Sequence, residues 1–142
     1  MVNFWGAPRA LSPDGGRLAV TRIPPEGSAS SWIASVAGGS PVRLTNGDSA
    51  DEIMGAWSPD GARIVYLRRQ EGTLSLMIAK TNRQATPVEL VRTGLVFILL
   101  PDWSPTGKWT AFRTHSAVRL SSRPTAKMEK PNATSARSLP ST

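Results

Sequence analysis

Cysteine is absent from this 142-residue chain, and histidine occurs once, as His115. Without cysteine there is no disulfide framework and no thiolate metal site, and the redox compartment stays open. One histidine offers no imidazole pair for zinc. It leaves a single candidate base for a Ser-His-Asp arrangement, and no G-x-S-x-G elbow supplies a nucleophile for it. Apolar runs are short. The longest, Leu95 to Leu100, has six residues, against about 20 for a helix that spans a bilayer. It reads as a buried strand, so no membrane span is expected. The opening residues, Met1 to Gly6, hold no basic stretch followed by an apolar run, so the chain as written carries no signal peptide. A phosphate-binding glycine loop is missing too: Gly38-Gly39-Ser40 precedes a short strand, not a helix. These absences favour a protein that is not an enzyme and has no metal or cofactor.

Turn formers are plentiful. Gly and Pro occur 12 times each, which suits many short strands better than long helices. Hydrophobic residues make up 39% and charged residues 19%, enough apolar material for a packed core. The net charge of +7 is unevenly placed: residues 1–115 contribute +3 and residues 116–142 contribute +4. The basic balance thus describes the tail more than the body, which weakens nucleic-acid binding as a function of the whole chain.

A segment repeats at a fixed step. Leu11-Ser12-Pro13-Asp14-Gly15 returns 46 positions later as Trp57-Ser58-Pro59-Asp60-Gly61, and again after another 46 as Trp103-Ser104-Pro105-Thr106-Gly107. Pro41-Val42-Arg43-Leu44 returns by the same step as Pro87-Val88-Glu89-Leu90. A period in the forties with strand-like filling reads as blades of a β-propeller.

The middle unit is complete. A strand over Glu52 to Trp57 leads into Ser58-Pro59-Asp60-Gly61. There Pro59 presets a type I turn, Gly61 takes the positive φ, and the Ser58 oxygen reaches a backbone N–H. Arg63 to Leu67 is β-branched and aromatic, with both faces apolar, as for a sheet held between two others. Arg68 to Gly72 reads as a polar hairpin tip, Leu74 to Ala79 as the third strand, and Pro87 to Leu90 as a short outer one. The first unit has the same order. The third starts correctly, with Phe97 to Trp103 and then Lys108 to Phe112. Its third strand should fall near Ser122 to Ala126, where Pro124 interrupts it. Residues 116–142 are rich in Ser, Thr, Pro and Ala and read as a disordered or loosely packed basic tail.

The unit Trp-Ser-Pro-Asp-Gly, apolar strand, hairpin, Pro-x-x-Leu resembles the TolB-type β-propeller repeat over about residues 7–113. That family is a distant relative of the WD-repeat propellers. The repeat also occurs in the propeller domains of prolyl-oligopeptidase-like peptidases and tricorn-like proteases. The resemblance implies that each unit is one four-stranded antiparallel blade. It implies roles in protein–protein contact, often outside the bacterial cytoplasm. Thr106 departs from the family's Asp.

The expected fold is therefore all-β: two full blades, at about 7–52 and 53–98, part of a third at 99–115, and the tail at 116–142. A ring needs about 4–8 blades. The preferred reading is a piece of a longer propeller protein, with closure by several copies through open blade faces as the alternative. Residues 12–15, 58–61 and 104–107 are assigned to the turns. Asp14 and Asp60 are turn residues, not a carboxylate pair. Leu11, Trp57 and Trp103 are assigned to packing between blades, and Trp32 and Trp109 to the core. Arg22, Arg68 and Arg69 form a possible rim for an acidic partner. The function expected is a non-enzymatic module binding an unidentified protein. The alternatives are the propeller part of a prolyl-oligopeptidase-like peptidase and a weak nucleic-acid binder acting through its tail.

Overall fold

The computed structural model describes residues 3–5, 11–45, 49–83, 85–93, 99–113, 118–122 and 137–139. Among these residues there are twelve strands and no helix, hence none long and apolar enough to cross a membrane. The first sheet holds β1 (Asn3–Trp5), β2 (Arg17–Ile23), β3 (Ser30–Ser35) and β4 (Val42–Arg43). The second holds β5 (Asp51–Trp57), β6 (Arg63–Gln70), β7 (Thr73–Lys80) and β8 (Val88–Thr93). The third holds β9 (Leu99–Trp103), β10 (Trp109–Arg113), β11 (Val118–Ser122) and β12 (Arg137–Leu139). In each sheet the strands follow chain order and pair antiparallel.

The middle sheet explains how the three hold together. Successive side chains of a strand point to opposite faces, and in β6 and β7 both sets are apolar. Ile64, Tyr66, Met77 and Ala79 join Trp57 on one face and meet Ala19, Ile33 and Leu44 of the first sheet. Val65, Leu67, Leu76 and Ile78 join Ala56 on the other face and meet Trp103 and Phe112 of the third. Burying each large side chain of this kind is worth about 1.5–3 kcal/mol. The first strands of the second and third sheets meet, β5 against β9, and β2 and β3 of the first sheet lie against β5. Four-stranded antiparallel sheets stacked face to face in this way are propeller blades. The all-β fold stands, as an array short of a closed ring.

Four details differ from the sequence reading. The first sheet begins at Asn3 and the second at Asp51, earlier than the expected blade starts. The third sheet has four strands, so Val118–Ser122 and Arg137–Leu139 belong to it and not to a loose tail. Its third strand ends before Arg123-Pro124, because the hairpin joining it to β10 is shorter than the 46-residue step implies. Residues 114–117, 123–136 and 140–142 of the expected tail lie outside the described residues, as do Leu95–Ile98 and His115. Finally, β6 runs on to Gln70, leaving Glu71 and Gly72 as the turn, with φ of 48° and 75°. Two left-handed residues in a row match the twist of the strands they join.

The first strands also carry a bulge that recurs with the repeat. Met54 pairs with Tyr66 and Ala56 with Val65, leaving Gly55 as the extra residue. In the third sheet Asp102 pairs with Ala111 and Leu99 with Arg113, again one residue over. An extra residue bends the strand and resets which side chains face which way. It lets Trp57 share a face with Ile64 and Tyr66.

Candidate functional site

The Ser-Pro-Asp-Gly turns build one corner of each sheet. The Ser58 N–H donates to the Arg63 carbonyl at 2.8 Å, and the Gly61 N–H to the Ser58 carbonyl at 2.8 Å. The Ser58 hydroxyl donates to Asp60 Oδ1 at 2.5 Å and accepts from the Arg63 N–H at 3.0 Å. The Ala62 N–H donates to the same carboxylate oxygen at 3.0 Å. Ser12, Asp14, Gly16 and Arg17 repeat the pattern. Gly15, Gly61 and Gly107 have φ of 73°, 68° and 68°, the left-handed region that glycine enters at no steric cost. The Ser58 hydroxyl first, then the Ala62 N–H, holds Asp60 below the usual carboxylate range; Ser12 and Gly16 do the same for Asp14. In the third turn Thr106 and Ser104 hydroxyls lie 3.3 Å apart, and the Trp109 N–H still reaches the Ser104 hydroxyl at 3.1 Å.

From these corners each sheet grips the next. The guanidinium of Arg17 lies 4.8 Å from the Trp57 ring centroid, and that of Arg63 lies 4.8 Å from the Trp103 centroid. Arg17 also donates to the Gly61 carbonyl of the neighbouring turn at 3.0 Å. The Trp103 indole N–H donates to the Ala56 carbonyl at 3.1 Å. Trp57 and Trp103 are 6% and 7% exposed, inside the two clusters between sheets. Leu11, at the same repeat position and expected between blades, is 53% exposed and forms a bridge to Leu18. Trp109, expected in the core, is 45% exposed: it occupies the arginine's place in the repeat, on a face that no further sheet covers among the described residues. Trp32 is half-buried, under the Arg22 guanidinium at 5.8 Å. The arginines recur at the repeat step and are visible in the sequence. Their partners, some forty residues away on another sheet, are not.

The three corners together bound an open cleft of about 530 Å3. Leu11, Pro13, Trp57, Pro59, Trp103 and Pro105 line it, with Ser104 and Asp102 as its polar members. Its size falls in the ordinary range for ligand sites, about 300–1,000 Å3. Asp102 is the member that sequence reasoning missed, since its repeat equivalent, Ala56, is apolar.

The arginine rim is not brought together. Arg22 is exposed on the first sheet. Arg69 is exposed but paired with Asp51 Oδ2, at 2.6 Å from Nη2. Asp51 also accepts from the Ala29 N–H at 3.0 Å, and this bond first, then Arg69, lowers its pKa. Arg68 is half-buried opposite Glu52 in the ladder, with its Nε sealed from solvent. Glu52 is 3% exposed. Both sit on the face turned toward the first sheet. Among the described residues no group of three or more His, Cys, Asp or Glu side chains could hold a metal ion.

No protein-family profile matches the chain, and no curated protein matches it either. A solved structure does: a protein provisionally named TolB, from Agrobacterium tumefaciens, superposes with a TM-score of 0.68 over 84% of this chain at 17% identity. The chain spans 45% of that protein's length. With its stacked antiparallel sheets and repeated turns, the chain has a TolB-like, propeller-type fold.

Proposed function

We propose that this chain is a non-catalytic protein–protein interaction module, and that it engages a peptide segment of its partner in the cleft between the three turns. The observation that carries this reading is the lining of that cleft. Prolines 13, 59 and 105 and the edges of Trp57 and Trp103 make a rigid apolar wall, with Asp102 as its charged member. Rigid aromatic and proline surfaces lose little entropy on binding and favour apolar anchors. The turn carboxylates beside the cleft, Asp14 and Asp60, are engaged by serine hydroxyls and backbone N–H groups, which suits a turn and not acid–base chemistry. The TolB-like fold supports the reading at the level of architecture: its turns and loops present a surface while the sheets supply rigidity.

Selection of peptides from a displayed random library tests it. Peptides with an apolar anchor are expected to bind, and to lose at least about tenfold in affinity to Pro59→Asp, which places a charge in the wall. Pro59 is exposed, so this substitution spares the core. Selected peptides that bind Pro59→Asp as well as the parent would overturn the reading, as would a selection that returns none.

A further inference from the structure

Both joints between sheets are made by the same pair of residues. The arginine that opens one sheet's second strand covers the tryptophan that ends the next sheet's first: Arg17 on Trp57, Arg63 on Trp103. By the repeat, the third sheet should offer an arginine to a following sheet, and the first should offer a tryptophan to a preceding one. Neither does. Trp109 holds the arginine's place, Leu11 holds the tryptophan's, and both are exposed.

The change at Trp109 is not isolated. Asp14 and Asp60 stand three residues before Arg17 and Arg63, and Asp60 Oδ2 lies 3.8 Å from Arg63 Nη2. Three residues before Trp109 stands Thr106. The outward corner of the third sheet has thus exchanged its cation and its anion together for an indole and a hydroxyl. Such a corner has no guanidinium to set on a tryptophan and is suited to an aliphatic side chain instead. The first sheet presents that surface. Leu11 bridges Leu18. Register places Leu18, Val20, Trp32 and Ala34 on the face opposite to Ala19 and Ile33, which pack on the second sheet.

We propose that Leu11 and Trp109 are two halves of one joint, contributed by two copies of this chain. The third sheet of each copy covers the first sheet of the other, head to tail, so that both outer faces are buried at once. Two copies bring six sheets, within the span of about four to eight over which propellers close. A head-to-tail contact whose rotation closes gives a ring instead of a filament. Closure also sets the two clefts around one opening, which extends the interaction surface without depending on what it binds.

The 142-residue chain in solution is the test, with molar mass read by sedimentation. A discrete species of twice the chain mass is expected. Leu11→Glu and Trp109→Lys, each alone, are expected to weaken association by at least about a hundredfold, because each ring loses an apolar contact at both joints. Mixing the two variants is expected to restore a one-to-one dimer. One joint then pairs Leu11→Glu with Trp109→Lys, and the other is native. Rescue on mixing requires both variants to be folded and is specific to head-to-tail contact. A monomeric parent, an open-ended ladder of masses, a dimer indifferent to both substitutions, or no rescue on mixing would each overturn the proposal. A monomeric parent would point instead to further blades supplied by a longer chain.

Discussion

Each serine of the first two turns uses its hydroxyl twice, donating to the aspartate two positions on and accepting from the backbone N–H five positions on. The arrangement works only while the aspartate is charged, since a protonated carboxyl accepts poorly. In the unfolded chain Asp14, Asp51 and Asp60 lack these donors and titrate at about 3.9. Folded, all three lie lower. Around and below that pH the unfolded chain therefore binds more protons. Stability is fully present above the unfolded value and drains as pH falls through the folded ones. Urea midpoints are expected to hold steady down to about pH 4.5 and then decline, with a shallower decline in Asp14→Asn/Asp51→Asn/Asp60→Asn. An equally steep decline in that triple variant would place the acid sensitivity elsewhere. The turns were legible in the sequence because every bond in them spans five residues or fewer. Asp51 was not, since its donors, Ala29 and Arg69, are 22 and 18 positions away.

Strands follow the same division between local and distant information. The two-faced apolar pattern of Arg63 to Leu67 is a property of the segment itself and placed β6 between two sheets. The fixed step misplaces the third strand of the third sheet because a hairpin intervenes. Loop length is free to vary, whereas the ladder sets register. The bulges in β5 and β9 are illegible for a related reason: a bulge is a relation between two strands. At Gly55 it has a measurable consequence. A Cβ there would stand 2.6 Å from the Val65 carbonyl oxygen and 2.6 Å from Pro101 Cγ of the next sheet. The carbonyl belongs to the ladder and cannot move away cheaply. Gly55→Ala is expected to destabilise by about 1–3 kcal/mol through overpacking, read as a lower urea midpoint with an unchanged slope. A neutral result would mean that the first strands are not held as closely as the bulge geometry requires.

At the scale of the whole molecule, the main contacts between sheets among the described residues join the first to the second and the second to the third, so stability should be built from joints as it is in other repeat proteins. The arginine–tryptophan pairs allow that to be measured. The Arg63 side chain is 12% exposed, so its contact with Trp103 is largely shielded from water, where such contacts reach about 2 kcal/mol. A double-mutant cycle on Arg63→Ala and Trp103→Leu is expected to give a coupling of about 1–2 kcal/mol. The same cycle on Arg17→Ala and Trp57→Leu should give a coupling of similar size. Cycles that cross joints, such as Arg17→Ala with Trp103→Leu, are expected to be additive within about 0.5 kcal/mol. Strong coupling across joints would mean that the sheets respond as one body, and the repeat would then be a unit of sequence without being a unit of energy. Additivity would make Trp109 and Leu11 the natural places to build or break a further joint, because no change there would propagate through the two joints already closed.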